Sequence, residues 1–129
     1  MTAILDHIGL NVSDLELSLN FYCTHFGFSE QKRFKASDSQ DGLLGLTGVN
    51  AQIAFLENDV VRLELKEYSS PPNTNVHSSS SIHDTGLIHL CFQVEDIDDW
   101  YSKLSDDIEF ISPPLYVDSG SKIANLHDP

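Results

Sequence analysis

A chain of 129 residues, 40% of them hydrophobic, has the size and composition of one globular domain, 1–129. Its net charge of −13, from 20 acids against 7 bases, repels phosphate backbones and argues against a nucleic-acid partner. No apolar run approaches the ~18 residues that span a bilayer, and no basic-then-apolar leader opens the chain, so a soluble cytoplasmic protein with no membrane partner is expected.

Residues 4–12 predict a strand, with Ile8, Leu10 and Val12 on one face and His7, Gly9 and Asn11 on the other. Ser13 and Glu16 have capping-box spacing and start a helix. Leu15, Leu19, Tyr22 and Phe26 form its apolar stripe, and Gly27 fits its end. Lys35–Asp41 reads as a polar surface loop. Further strands are expected at 42–48, 51–57 and 60–67. In the last of these Val61, Leu63 and Leu65 face the core, while Arg62, Glu64 and Lys66 share the opposite face. Ser69–Thr85 is rich in Ser, Pro and Asn and reads as a linker, its His77 and His83 as solvated loop residues.

Beyond the linker, His89, Cys91 and Gln93 alternate against Leu90, Phe92 and Val94 as another strand. Asp96 is the expected N-cap of a helix striped by Ile97, Trp100, Tyr101 and Leu104. The acids around that helix, Asp98, Asp99, Asp106 and Asp107, read as a solvated face. Strand segments follow at Ile108–Ile111, Leu115–Val117 and Lys122–Leu126, interrupted by Pro113-Pro114. Cys23 and Cys91 sit in apolar patterns and are expected as buried free thiols, as suits a reducing compartment.

The two halves repeat each other in register. The offset from His7 to His89 also carries Leu10 to Phe92, Val12 to Val94, Asp14 to Asp96, Leu19 to Tyr101 and Phe28 to Phe110. A gapless match over strand, cap and helix argues for a duplicated unit with a histidine at the same place in each copy. A pseudo-twofold between the copies brings those imidazoles face to face. If the sheet curves, Glu64 looks into the same concavity. Two imidazoles and a carboxylate suit a divalent metal: Zn, Ni, Mn, Fe or Co.

These residues resemble a known superfamily, the vicinal oxygen chelate proteins, which include glyoxalases, extradiol dioxygenases and bleomycin-resistance proteins. Three stretches carry the resemblance: Asp-His-Ile-Gly-Leu-Asn-Val-Ser-Asp-Leu at 6–15, Val61-Arg62-Leu63-Glu64-Leu65, and Gly86 to Asp96. It implies an α+β fold of two β-α-β-β-β modules, 1–68 and 86–129, joined by a linker at 69–85. The modules' curved mixed sheets would form a cup around a divalent metal. His7, Glu64 and His89 would be ligands, and Glu64 also a candidate for moving a proton. The family's fourth ligand is usually a Glu on a last strand that follows an Asp-Pro-Asp-Gly-like turn. The sequence stops at Asp128-Pro129, so the second module lacks that strand and reads as incomplete.

The implied function is that of a glyoxalase-like lyase or isomerase, an enzyme whose metal binds vicinal oxygens of a small substrate and stabilises an enediolate. Asn11 stands where glyoxalase I usually has an Arg that helps bind glutathione, and Glu64 where methylmalonyl-CoA epimerase commonly has Gln. The substrate therefore stays open. Two other classes stay open with it: an extradiol-type ring-cleaving dioxygenase, and a metal-free small-molecule binding protein of the bleomycin-resistance type. Phe34, Phe55 and Asn125 are weighed as cavity lining, with Phe55 equally readable as core. A homodimer is the expected assembly.

Overall fold

The computed structural model describes residues 2–73, 83, 85–86 and 89–129. The chain divides into two compact units, Met1–Val76 with Pro129, and His77–Asp128. Most of the expected linker, including His77, lies outside the described residues; His83 is an exposed turn residue.

The first unit runs β1 (Ile8–Asn11), α1 (Leu15–His25), β2 (Ser29–Ala36), a 3-10 turn at Asp38–Gln40, α2 (Asp41–Leu44), β3 (Asn50–Glu57) and β4 (Arg62–Ser70). Its sheet has the order β1-β4-β3-β2, with β1 parallel to β4 and the other pairs antiparallel. This is the expected β-α-β-β-β unit, but its second strand is residues 29–36 and not 42–48. The sequence Ser-Glu-Gln-Lys-Arg-Phe-Lys-Ala is exposed at every position before Ala36. Apolar alternation therefore could not mark it. It is an edge strand, where charged side chains guard an open ladder against pairing with other chains. Residues 42–48 instead enter α2, which ends at Gly45 in the left-handed region (φ +66°). The Asp41 carboxylate accepts from the Gly48 and Val49 amides at 2.7 and 2.9 Å and holds the turn closed.

Helix α1 is capped by Asp14, one residue later than the expected Ser13; its carboxylate accepts from the Leu17 amide at 2.9 Å. Leu15, Leu19 and Tyr22 of the expected stripe are buried, and α1 packs across β3 and β4. The sheet face beneath it carries Leu63 and Leu65, both fully buried. Glu67 shares that face, and its carboxylate accepts from the Leu15 amide at 2.8 Å. Gly27 (φ +68°) makes the left-handed turn from α1 into β2.

On the opposite face of the sheet, short α2 reaches only one end, where Leu44 packs. Across it one row runs Gly9, Glu64, Phe55, Lys32 in ladder register. A smaller apolar cluster of Ala36, Val49, Ala51, Ile53 and Phe55, with Leu44 and Tyr68, covers its other end.

In the second unit, residues 89–94 form no strand. Their burial still alternates, with His89, Cys91 and Gln93 exposed and Leu90, Phe92 and Val94 half-buried. Asp96 caps α3 (Ile97–Leu104) as expected, accepting from the Asp98 and Asp99 amides. After α3, Phe110 and Leu126 make a single antiparallel bridge. β5 (Leu115–Tyr116) and β6 (Lys122–Ile123) pair as a short hairpin. Cys23 is half-buried and Cys91 exposed, both free, so the expectation of two buried thiols fails for Cys91.

The expected cup of curved mixed sheets is therefore corrected. Among the described residues the mixed sheet is open, with β1 and β2 as edges, and the second unit contributes a two-stranded ladder where a second mixed sheet was expected. The physical reason is that alternation belongs to any extended chain, whereas a strand needs a ladder partner. No helix of the described residues is long and apolar enough to cross a membrane.

Candidate functional site

The parallel pairing of β1 with β4 sets Gly9 directly opposite Glu64. Built on Gly9, a Cβ would sit in ordinary van der Waals contact with Glu64 Oε2, at 3.5 Å. Glu64 is 9% exposed, and no buried side-chain polar atom among the described residues lacks a partner.

Two groups meet that carboxylate. His7 Nε2 lies 3.2 Å from Glu64 Oε2, and Lys66 Nζ lies 3.0 Å from the same oxygen. The other ring nitrogen, His7 Nδ1, pairs with Asp6 Oδ2 at 2.7 Å. The His7 hydrogen bond, chiefly, holds the Asp6 carboxyl below the ordinary carboxylate range; slight burial opposes it, and the charges of Arg62 and Lys32 reinforce it. Arg62 lies 3.6 Å from both Asp6 and Glu57. The His7 ring also stands edge-on to Phe55, centroids 5.2 Å apart and planes at 81°. Phe55 in turn stacks with Phe34 at 6.1 Å.

This arrangement has a chemical consequence. With Nδ1–H donated to Asp6, neutral His7 presents a lone pair at Nε2 toward an ionised carboxylate. Two lone pairs 3.2 Å apart repel unless a proton or a metal ion lies between them. An ion held about 2.1 Å from each donor would set a nitrogen–oxygen separation of roughly this size. A carboxylate behind the distal nitrogen is also the usual way a ligating histidine is fixed in tautomer and orientation. The residues of the first unit thus fit two places in a metal's coordination shell. Lys66 is a competing cation at the same carboxylate.

The structure brings together His7 and Glu64, two of the three expected ligands. His89 belongs to the second unit, where it is exposed and outside regular structure. Among the described residues, no group of three or more His, Cys, Asp or Glu is placed to hold a metal. A shallow hollow lined by Asp6 and residues 57–62 opens nearby, but neither His7 nor Glu64 lines it. It brings carboxylates together without an imidazole, and the site is assigned instead to the ring and carboxylate that meet.

Sequence reasoning missed Asp6 as the partner of His7, because alternation along a strand sends neighbours to opposite faces. β1 begins only at Ile8, so that rule does not govern residues 6 and 7. It also gave Lys66 a face but no role.

The profile of the Glyoxalase/Bleomycin resistance protein/Dioxygenase superfamily matches residues 4–129. No curated protein matches the chain. Among solved structures, a glyoxalase family protein from Bacillus cereus is similar with a TM-score of 0.86 at 20% identity, over 98% of this chain and 87% of that one. The trypanothione-dependent glyoxalase I of Leishmania major is similar at 0.66 and 20% identity, over 99% and 81%. A point mutant of the fosfomycin resistance protein FosX from Listeria monocytogenes, complexed with Mn(II) and 1S,2S-dihydroxypropylphosphonic acid, is similar at 0.58 and 18% identity, over 97% and 85%. At such identities the likeness is one of fold. The profile match over nearly the whole length decides membership: this chain belongs to the Glyoxalase/Bleomycin resistance protein/Dioxygenase superfamily.

Proposed function

We propose that the protein is a glyoxalase-like, metal-dependent lyase or isomerase acting on a small substrate with vicinal oxygens. The observation that carries this reading is the 3.2 Å approach of His7 Nε2 to Glu64 Oε2, with Asp6 behind the ring. His7 and Glu64 are the proposed ligands from the first unit, and His89, their repeat-related counterpart in the second, is the proposed third. The metal, when bound, supplies Lewis-acid stabilisation of negative charge on substrate oxygen. Asp6 fixes the His7 ring. Glu64, opposite Gly9 in the ladder, is the candidate for proton transfer. The Mn(II) complex of FosX supports metal use by a protein of this fold.

Metal content tests the reading. Wild-type protein, purified from metal-supplemented medium, is expected to carry a stoichiometric divalent ion. His7→Ala and Glu64→Gln are expected to lose it, and His89→Ala to bind it more weakly. Full metal retention in both His7→Ala and Glu64→Gln would refute the assignment.

One observation favours a second reading, metal-free binding of a small molecule. The Lys66 ammonium sits 3.0 Å from Glu64 Oε2 and already neutralises that carboxylate. On this reading the wild type carries no metal, and His7→Ala leaves ligand affinity unchanged. A homodimer is also proposed; the exposed apolar side chains of Leu115, Tyr116 and Ile123 on the second unit's hairpin supply a surface for association. Sedimentation of a monomer at high concentration would refute it.

A further inference from the structure

The bases of this chain are few, and most are spoken for. Arg33 pairs with Glu16 and Glu30, Arg62 with Asp6 and Glu57, Lys66 with Glu64, Lys103 with Asp99, and Lys122 with Asp98. Among the described residues only Lys32 and Lys35 have no carboxylate within ion-pair distance. In a chain of net charge −13 such a gap runs against composition. The two lysines differ in place. Lys35 stands on the other face of the edge strand, where guarding the edge is explanation enough. Lys32 stands in the row with Phe55, Glu64 and Gly9.

Lys32 Nζ lies 4.6 Å from the Phe55 ring centroid and 5.8 Å from that of Phe34. The two rings are stacked, their planes 18° apart. Phe34 is 39% exposed and Phe55 is buried beneath it, so Phe34 supplies the aromatic surface that faces solvent. Phe55 also touches the His7 ring. One phenylalanine therefore links an ammonium with no carboxylate at ion-pair distance to the imidazole of the candidate metal site. Ring faces attract the lysine but do not neutralise it; its hydrogen-bond donors remain available to an anion.

We propose that Lys32, Phe34 and Phe55 form a subsite for a planar organic carboxylate, so that the substrate is an aromatic or conjugated acid. Its flat body lies against the phenylalanine stack, its carboxylate meets Lys32, and its reacting oxygens reach toward His7 and Glu64. The subsite names the substrate class for the function proposed above and rests on that reading for where chemistry occurs. Binding of the flat acid itself needs no metal.

The test is a titration of the full chain with benzoate, followed by the aromatic proton shifts of Phe34, Phe55 and His7. Wild-type shifts are expected to saturate. Lys32→Met is expected to weaken binding about tenfold, the loss of one charge-assisted contact, while Lys32→Arg restores it. Benzamide, which is flat but neutral, and cyclohexanecarboxylate, which is charged but not flat, are each expected to bind more weakly. Raising NaCl to ~0.5 M is expected to weaken benzoate, because an exposed contact is screened. Equal affinity of Lys32→Met and wild type would overturn the subsite, as would the absence of shifts at these rings. His7→Ala separates the two readings. Lys32-dependent benzoate binding by a metal-free His7→Ala supports the subsite without the metal. A metal-loaded wild type that ignores benzoate overturns the subsite and leaves the metal reading standing.

Discussion

Glu67 fastens the start of α1 to the sheet, and the effect of replacing it can be worked out from the contacts. The carboxylate accepts from the Leu15 amide at 2.8 Å, at a partly buried helix N-terminus. A hydrogen bond to a charged group contributes about 1.5–3 kcal/mol, and a negative charge at a helix N-terminus about 0.3–1 kcal/mol. Asp14 still caps the Leu17 amide, and water reaches part of the vacated position, so the total falls below that sum. We expect Glu67→Ala to lose about 2 kcal/mol, and Glu67→Gln, which keeps a neutral acceptor, about half of that. For a chain of this length ~2 kcal/mol lowers the melting temperature by roughly 7 °C. Urea unfolding should be followed by far-ultraviolet circular dichroism, because the only tryptophan, Trp100, lies in the second unit. Hydrogen exchange at the Leu15 amide gives a local readout and should accelerate in Glu67→Ala. A Glu67→Ala stability within ~0.5 kcal/mol of wild type, the scatter of ordinary surface changes, with unchanged exchange at Leu15, would refute the reasoning.

Lys66→Met should raise the affinity for a divalent ion by about tenfold, since it removes the cation that shares Glu64 Oε2; competition against a chromophoric chelator reads this, and unchanged affinity would show that Lys66 does not compete. Gly9→Leu should lose metal while keeping its circular dichroism, because the added side chain starts 3.5 Å from Glu64 Oε2; retained metal would place the ion elsewhere. The Glu30 carboxyl is held below its usual 4.5, chiefly by its hydrogen bond with Arg33. A depressed folded pKa means that this pair's stabilisation is fully present above pH 4.5 and is lost as pH falls through the folded value. Arg33→Met should therefore raise the Glu30 midpoint in a carboxyl-resolved NMR titration; an unmoved midpoint would rule out the pair as the cause.

Wherever one face of an element is buried, the first half of the chain was legible. The stripe of α1, the buried Leu63 and Leu65, and the facing of Glu64 all follow from period and alternation. β2 was not legible, because its side chains are exposed at all but the last position, so no apolar pattern records its pairing with β3. Residues 89–94 show the opposite failure. Their alternation is present in the burial of the folded chain, yet no ladder accompanies it. The repeat with residues 7–12 announced a strand on the strength of a pattern that a segment outside regular structure satisfies equally well.

Superfamily membership, the faces of β1 and β4, the positions of α1 and α3, and a histidine with Glu64 as candidate chemistry were all legible in local pattern and resemblance. Long-range packing set the parallel register of β1 on β4, which puts Gly9 against Glu64 and His7 within 3.2 Å of its carboxylate. It alone placed Asp6 behind the imidazole, Lys66 on the same carboxylate and Lys32 over two stacked rings. Periodicity reports which way a side chain points along its own element. Which groups it meets depends on register between strands distant in the chain, and that register is fixed by the packing of the whole sheet.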